Sequence, residues 1–361
     1  MIFSLFQMSS AVAVPKLKMS DGREIPALGL GTYLGFDKNG VVASKDKELR
    51  DVVLEAIDIG YRHFDTASIY NTEDEIGEAI KTKITEGVVT REEIFVTTKL
   101  WNTQHKREEV ATAVRDALDK SGLEYIDLYL MHWPIGLNGR DGVFNHTALC
   151  TRKPRHNLTI VFLPFQADYS FSDVDFMETW RGLEDMQKLG LVKSIGVSNF
   201  NKEQLQRLLD EGTVKPVVLQ IEVHPQIVQE ELINFARSEN IIVVGYSPFG
   251  SLVERYGKQF PGPTMDDPVL VEIAQKYGKT SAQVVLRWLV DRNVIPIPKT
   301  VNTKRLLENI SIFDFKLEKD EIEKINKFNS NTRYTEPSFW QTHPYYPFDQ
   351  VKEPLPDPFR A

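Results

Sequence analysis

The feature that most constrains this chain is a regular alternation of strand-like and helix-like stretches running to about residue 300. Apolar runs read as strands at His63–Ala67, Ile94–Leu100, Ile126–Trp133, Val192–Ser198, Val217–Val223, Ile241–Ser247 and Val294–Pro298. Ala27–Tyr33 supplies a first one. Between them apolar residues fall on helical spacing, as in Leu49, Val52, Val53, Ala56 and Ile57, or Val110, Ala113, Val114, Ala117 and Leu118. Strands joined through helices lie parallel, and eight such units predict an α/β chain closed into a (β/α)8 TIM barrel. A doubly wound sheet is the competing arrangement, and it places a glycine-rich phosphate turn after its first strand. Gly29, Gly31 and Gly35 test for that turn. The third glycine comes one position late, and Phe36–Gly40 do not open a helix. We read the stretch as a strand-end turn that approaches a ligand.

Outside the alternation, Lys16–Pro26 brackets Asp21-Gly22 and reads as an N-terminal β-hairpin. Residues 1–13 read as a tail, and 14–361 as one barrel domain. Residues 139–170 form a long connection without periodicity, holding Arg152, Lys153 and Arg155 beside an apolar run. We read this as an atypical insert, disordered or of alternative-transcript origin. From about Asn329 the chain is rich in proline and aromatics, including Phe339, Trp340, Tyr345, Tyr346 and Phe348. Such a tail is not a helix, yet it is too aromatic to float in water. It is expected to pack over a barrel end as a long C-terminal substrate loop.

A formal net charge of -8, with no basic stripe, argues against nucleic acid as a partner. A small anionic ligand stays open, because local cations override net charge. The one cysteine, Cys150, excludes an intrachain disulfide framework and points to a reducing compartment. The apolar start lacks a basic leader region, and no run approaches the roughly 18 apolar residues of a membrane span. We therefore expect a soluble, cytoplasmic monomer with no membrane partner. No metal is expected: the strand ends lack a His/Asp/Glu cluster, and His63 and His224 have no partners at ligand spacing.

Three successive strand ends carry polar residues at the barrel mouth: Asp65, with Tyr70 in the loop beyond it, then Lys99, then His132. Singly, each has an ordinary explanation as a turn, packing or solvated residue. Together they form a proton-transfer site. A free tyrosine ionises near pH 10, so as a general acid Tyr70 needs a cation that lowers its pKa toward the working range. Lys99 supplies that charge, Asp65 holds the ammonium, and His132 orients a carbonyl oxygen beside the phenol. The set polarises a carbonyl but contains no strong nucleophile. The attacking species must come from a cofactor, and hydride from a nicotinamide fits.

The motifs that carry these residues resemble aldo-keto reductase signatures. They are Gly60-Tyr61-Arg62-His63-Phe64-Asp65 with Tyr70-Asn71-Thr72-Glu73, then Thr98-Lys99-Leu100-Trp101 and Met131-His132-Trp133-Pro134. Ser194-Ile195-Gly196-Val197-Ser198-Asn199-Phe200 and Ile295-Pro296-Ile297-Pro298-Lys299-Thr300 extend the likeness. It covers the chain from about residue 14 onward, apart from the insert. It implies a barrel that binds NADPH at its C-terminal mouth and reduces an aldehyde or ketone to an alcohol. Asp65, Tyr70, Lys99 and His132 would be its catalytic tetrad and Tyr70 the proton donor. The resemblance further gives Ser198, Asn199 and Gln220 to the nicotinamide carboxamide and Tyr246 to stacking on the ring. It gives Lys299, Thr300 and Arg305 to the 2′-phosphate, and Glu308 and Asn309 to adenine. Gly31, Thr32 and Ser247 count among the cofactor-lining positions. On physical grounds too, two cations and a hydroxyl at a helix start make an anion site.

Tyr33, where many family members carry tryptophan, would line an apolar substrate pocket with Trp101, Trp133 and Trp340. Within the family the chain looks most like insect members, notably the moth 3-dehydroecdysone 3β-reductases. That implies a bulky lipophilic carbonyl such as 3-dehydroecdysone. A general aldehyde or aldose reductase, and a non-catalytic NADPH-binding barrel, are the alternatives.

Overall fold

The computed structural model describes residues 12–35, 48–139, 170–254 and 262–352. The expected tail up to residue 11 and the body of the insert lie outside the described residues. A hairpin opens the chain. Strands β1 (Lys16–Lys18) and β2 (Glu24–Pro26) pair antiparallel around a turn in which Gly22 takes φ +89°. Eight parallel strands then form the central sheet. They are β3 (Leu30–Gly31), β4 (His63–Asp65), β5 (Phe95–Leu100), β6 (Ile126–Met131), β9 (Val192–Ser198), β10 (Val218–Glu222), β11 (Ile242–Tyr246) and β12 (Val294–Pro296). The expected strands are all present, several shorter by one to three residues at an end. The first is the most reduced, to Leu30–Gly31.

The two edge strands of this sheet meet. Gly29 N donates to Pro296 O at 3.1 Å and Gly31 N to Pro298 O at 3.1 Å, so the sheet closes into a barrel. Gly31 permits that seam, since a Cβ there would lie 2.8 Å from the Ile297 carbonyl oxygen. Side chains alternate between the two sides of each strand. Phe95, Leu128, Leu130, Val218, Val244 and Ile295 fill the barrel interior and pack on Met19 and Ile25 of the hairpin, which plugs its lower end. Their neighbours Val96, Tyr129, Leu219, Val243 and Val294 face the helices. This parity places Asp65, Lys99, His132, Ser198, Gln220 and Tyr246 on the inward side, above the apolar layers.

Helices α1 (Glu48–Ile59), α2 (Glu73–Thr85), α3 (Arg107–Ser121), α4 (Phe176–Lys188), α5 (Lys202–Glu211) and α6 (Glu230–Ser238) follow their strands in turn. Between β11 and β12 the described residues form two α-helices, α7 (Pro268–Tyr277) and α8 (Ser281–Asp291), where the alternation predicts one. Gly278, at φ +63°, ends the first, and the Thr280 hydroxyl caps the second by accepting from Gln283 N at 3.2 Å. Helices α9 (Thr303–Ile310) and α10 (Lys319–Asn326) follow β12.

The ends of the insert pair with each other, β7 (Leu137–Asn138) against β8 (Ser170–Phe171). Among its described residues the C-terminal segment has no helix beyond one 3-10 turn at Ser338–Trp340, and they pack over the mouth, as its composition predicts. Among the described residues no helix is long and apolar enough to cross a membrane.

Helix α2, which begins just beyond Tyr70, packs closely on α3 through Gly77. A Cβ at Gly77 would lie 1.9 Å from the Ser121 carbonyl oxygen, which is backbone and cannot swing aside. Gly77→Ala is expected to cost about 3 kcal/mol in urea unfolding, or to prevent folding. A loss below about 0.5 kcal/mol would show that the two helices are not held at this distance.

Candidate active site

The site is built at the C-terminal ends of three adjacent strands. Asp65 ends β4, Lys99 lies one residue before the end of β5, and His132 follows β6. Tyr70 closes the 3-10 turn Ser68–Tyr70 that links β4 to α2. Lys99, with none of its surface exposed, donates from Nζ to Asp65 Oδ1 at 2.6 Å and to the Thr66 carbonyl oxygen at 2.7 Å. The second carboxylate oxygen of Asp65 accepts from Gln220 Nε2 at 2.7 Å. That bond reaches across the barrel from β10. Lys99 Nζ lies 5.0 Å from the Tyr70 ring centroid. The Tyr70 and His132 rings meet edge-on at 5.8 Å, and Tyr33 lies 5.0 Å from Tyr70. The four strand-end residues picked out in the sequence thus converge, and Tyr33 joins them.

The electrostatics correct one expectation. Burial, then the carboxylate of Asp65, pushes the Tyr70 phenol well above its ordinary value. The Lys99 ammonium beside it is itself paired with Asp65. Burial also lowers Lys99 itself, against the opposing pull of Asp65. His132 is driven well below the usual histidine range by burial and then by the Lys99 charge. The site therefore holds a neutral phenol and a neutral imidazole beside a buried ion pair. His132 Nδ1 is buried without a hydrogen-bond partner among the described residues.

The residues assigned to the nicotinamide end surround this centre. Thr32 Oγ1 donates to the Asp65 carbonyl oxygen at 2.9 Å and lies 3.3 Å from Thr72 Oγ1. Asn199, in the left-handed region at φ +60°, donates from Nδ2 to the His132 carbonyl oxygen at 3.0 Å and to Ser198 Oγ at 3.2 Å. Its Oδ1 accepts from the Tyr246 hydroxyl at 2.7 Å. Ser247, at φ +52°, turns the chain away after β11. The Asn199 and Gln220 amides thus already make protein hydrogen bonds. The Gln220–Asp65 bond spans 155 positions and has no signal in the sequence.

The second cluster lies at the start of α9. Asn302 caps it, its Oδ1 accepting from Arg305 N at 3.1 Å, and Thr300 Oγ1 accepts from Asn302 N at 3.1 Å. Lys299 and Arg305 are exposed. Two cationic side chains, a hydroxyl and the positive end of a helix dipole fit a phosphate group. Glu308 is half-buried and Asn309 buried on the same helix.

The candidate substrate residues form an aromatic wall. Trp340 of the C-terminal segment lies 6.2 Å from Trp101 and 5.9 Å from Trp133, and Trp101 lies 5.4 Å from His132. Only 9%, 5% and 2% of Trp101, Trp133 and Trp340 stay exposed. The tryptophans chiefly cover one another, leaving half-buried Tyr33 and Tyr70 to face the mouth. Among the described residues no His/Cys/Asp/Glu group could hold a metal.

Two outcomes follow from the geometry. Asp65→Asn leaves Lys99 buried opposite a neutral group and is expected to cost about 3 kcal/mol in urea unfolding. A cost within about 0.5 kcal/mol would mean the pair is not buried as described. An ultraviolet titration should show no tyrosinate from Tyr70 up to pH 10.0, its ordinary value, so wild type and Tyr70→Phe should overlay there. Extra tyrosinate in the wild type below that pH would contradict the burial of the phenol.

Residues 27–330 match the Aldo/keto reductase family. The chain is 43% identical to aldo-keto reductase AKR2E4 of Bombyx mori over 337 residues, covering 93% of this chain and 99% of that one. The crystal structure of that silkworm protein in complex with NADP superposes with a TM-score of 0.81 at 42% identity, covering 94% and 100% of the two chains. AKR2E5, also of Bombyx mori, complexed with NADPH, superposes with a TM-score of 0.83 at 40% identity, covering 97% and 98%. The chain belongs to the aldo/keto reductase family.

Proposed function

We propose that this protein is an NADPH-dependent carbonyl reductase in which Tyr70 protonates the oxygen of a bulky lipophilic aldehyde or ketone. The observation that carries the reading is the buried Asp65–Lys99 pair, 2.6 Å apart, beside the half-buried phenol of Tyr70. A reduced nicotinamide, when bound, supplies the hydride for the carbonyl carbon. Tyr70 keeps its proton at Oη in the resting site and gives it up only to an oxygen that is gaining negative charge. Lys99 then stabilises the phenolate that forms, at a distance where water is largely excluded. Asp65 and the Thr66 carbonyl hold the ammonium in place. His132, as a neutral imidazole, orients the carbonyl oxygen.

Lys299, Thr300 and Arg305 would hold the 2′-phosphate, favouring NADPH over NADH, with Glu308 and Asn309 toward adenine. Ser198, Asn199 and Gln220 would take the carboxamide and Tyr246 the ring, with Gly31, Thr32 and Ser247 lining the cofactor's path. For the substrate, the aromatic wall of Tyr33, Trp101, Trp133 and Trp340 and the likeness to moth enzymes support a keto-steroid such as 3-dehydroecdysone. The single cysteine supports a cytoplasmic setting.

The test is NADPH consumption by wild type and Tyr70→Phe against aromatic aldehydes, sugars and keto-steroids. Wild type is expected to turn over, and Tyr70→Phe to bind NADPH while losing at least about 100-fold in kcat. Equal rates in both would remove Tyr70 as donor. Turnover of 3-dehydroecdysone no better than of simple aromatic aldehydes would favour a general aldehyde reductase.

A further inference from the structure

Glu222 ends β10 on the inward side, is fully buried, and belongs to none of the groups assigned above. Its Oε1 accepts from His224 Nε2 at 2.9 Å and from the backbone N–H of Tyr334 at 2.8 Å. Its Oε2 accepts from the N–H of Thr335 at 2.8 Å. A buried carboxylate is costly unless hydrogen bonds surround it, and buried backbone N–H groups outside a helix or sheet equally need acceptors. Here each meets the other's need. The adjoining loop reinforces the contact. Gln226 O accepts from Ser330 N at 3.2 Å and Thr332 N at 3.1 Å, and the Tyr334 hydroxyl donates to Gln226 Oε1 at 2.9 Å.

Ten residues further on the segment is fastened again. The Tyr345 hydroxyl donates to Asp175 Oδ2 at 3.0 Å, and Gln204 Nε2 donates to the Tyr345 carbonyl oxygen at 2.9 Å. Asp175 is itself held by Arg207, whose two terminal nitrogens donate to its two oxygens at 3.1 and 2.7 Å. Between these fastenings the chain makes successive tight turns, and the first of them carries Trp340. With no α-helix or strand there to hold it, the position of Trp340 over Trp101 and Trp133 depends in part on where the two ends are tied.

We propose that Glu222 and Asp175 are the two anchors of a C-terminal strap, which makes Glu222 a specificity-determining positioning residue for bulky carbonyls. This rests on the reductase reading above. Glu222 touches no reacting atom; it acts through the Tyr334 and Thr335 amides and so through Trp340. Glu222→Gln preserves size but turns one acceptor oxygen into a donor. Oriented to keep the Tyr334 bond, it faces the Thr335 N–H with an NH2 group, and that amide loses its partner.

The experiment uses the full chain as wild type, Glu222→Gln and Tyr345→Phe. Amide exchange over residues 330–346 reads the strap; NADPH affinity, and kcat and KM for propanal and for a keto-steroid, read its consequence. In Glu222→Gln the Thr335 region should exchange about tenfold faster. KM for the keto-steroid should rise about fivefold, with kcat for propanal and NADPH affinity within about twofold of wild type. Tyr345→Phe should shift KM in the same direction by less, with faster exchange confined to the residue 345 end. Unchanged exchange in Glu222→Gln would overturn the anchor. Faster exchange with unchanged keto-steroid KM would overturn its role in specificity. If Glu222→Gln does not fold, Tyr345→Phe, which removes one hydroxyl, decides by the same KM comparison. A wild type that reduces neither carbonyl removes the reductase reading and this proposal with it. Turnover with no change of KM in either variant removes the strap alone.

Discussion

The buried pair of Lys99 and Asp65 is the interaction on which the rest of the structure depends. Two charges removed from water gain little unless every remaining hydrogen-bonding position is also filled. The barrel fills two of them: the Thr66 carbonyl takes a second Lys99 hydrogen, and Gln220 donates to the second Asp65 oxygen. These contributions come from β4, β5 and β10, so the pair exists only if the sheet closes in the correct register. Asp65 pairs with Thr97, and Lys99, two residues further along, leans back over the end of β4. A one-residue slip would turn Lys99 outward into the apolar layer beneath the helices.

The same pair sets the protonation of its neighbours. Burial, then the Asp65 carboxylate, keeps Tyr70 a phenol, and burial, then the Lys99 charge, keeps His132 an uncharged imidazole in the resting site. Around them the Asn199 amide ties the His132 backbone to the Tyr246 hydroxyl, and the Gln220 amide ties β10 to Asp65.

The aromatic mouth follows a different logic. Trp101 and Trp133 come from strand ends, whereas Trp340 arrives on a segment with almost no regular structure of its own. Apolar contact alone would leave such a segment free to slide. Directional hydrogen bonds to buried or well-held carboxylates, Glu222 at one end and Asp175 at the other, remove that freedom.

Much of this was legible in the sequence. Apolar runs and helical spacing set out eight parallel strands, and strand-end placement picked out Asp65, Tyr70, Lys99 and His132, because both depend on short-range order along the chain. The hairpin was legible from Asp21-Gly22, and the packed tail from its aromatic content. The second helix between β11 and β12 was not, since Gly278 and Thr280 interrupt what reads as one apolar stretch. The Gln220–Asp65 bond, the raised Tyr70 pKa and the anchoring of residues 334 and 335 on Glu222 were not legible either. Each depends on groups brought together from distant parts of the chain, and on the burial that results. Local spacing determined which residues reach the barrel mouth; only the closed barrel decided what each one touches and whether it carries a charge.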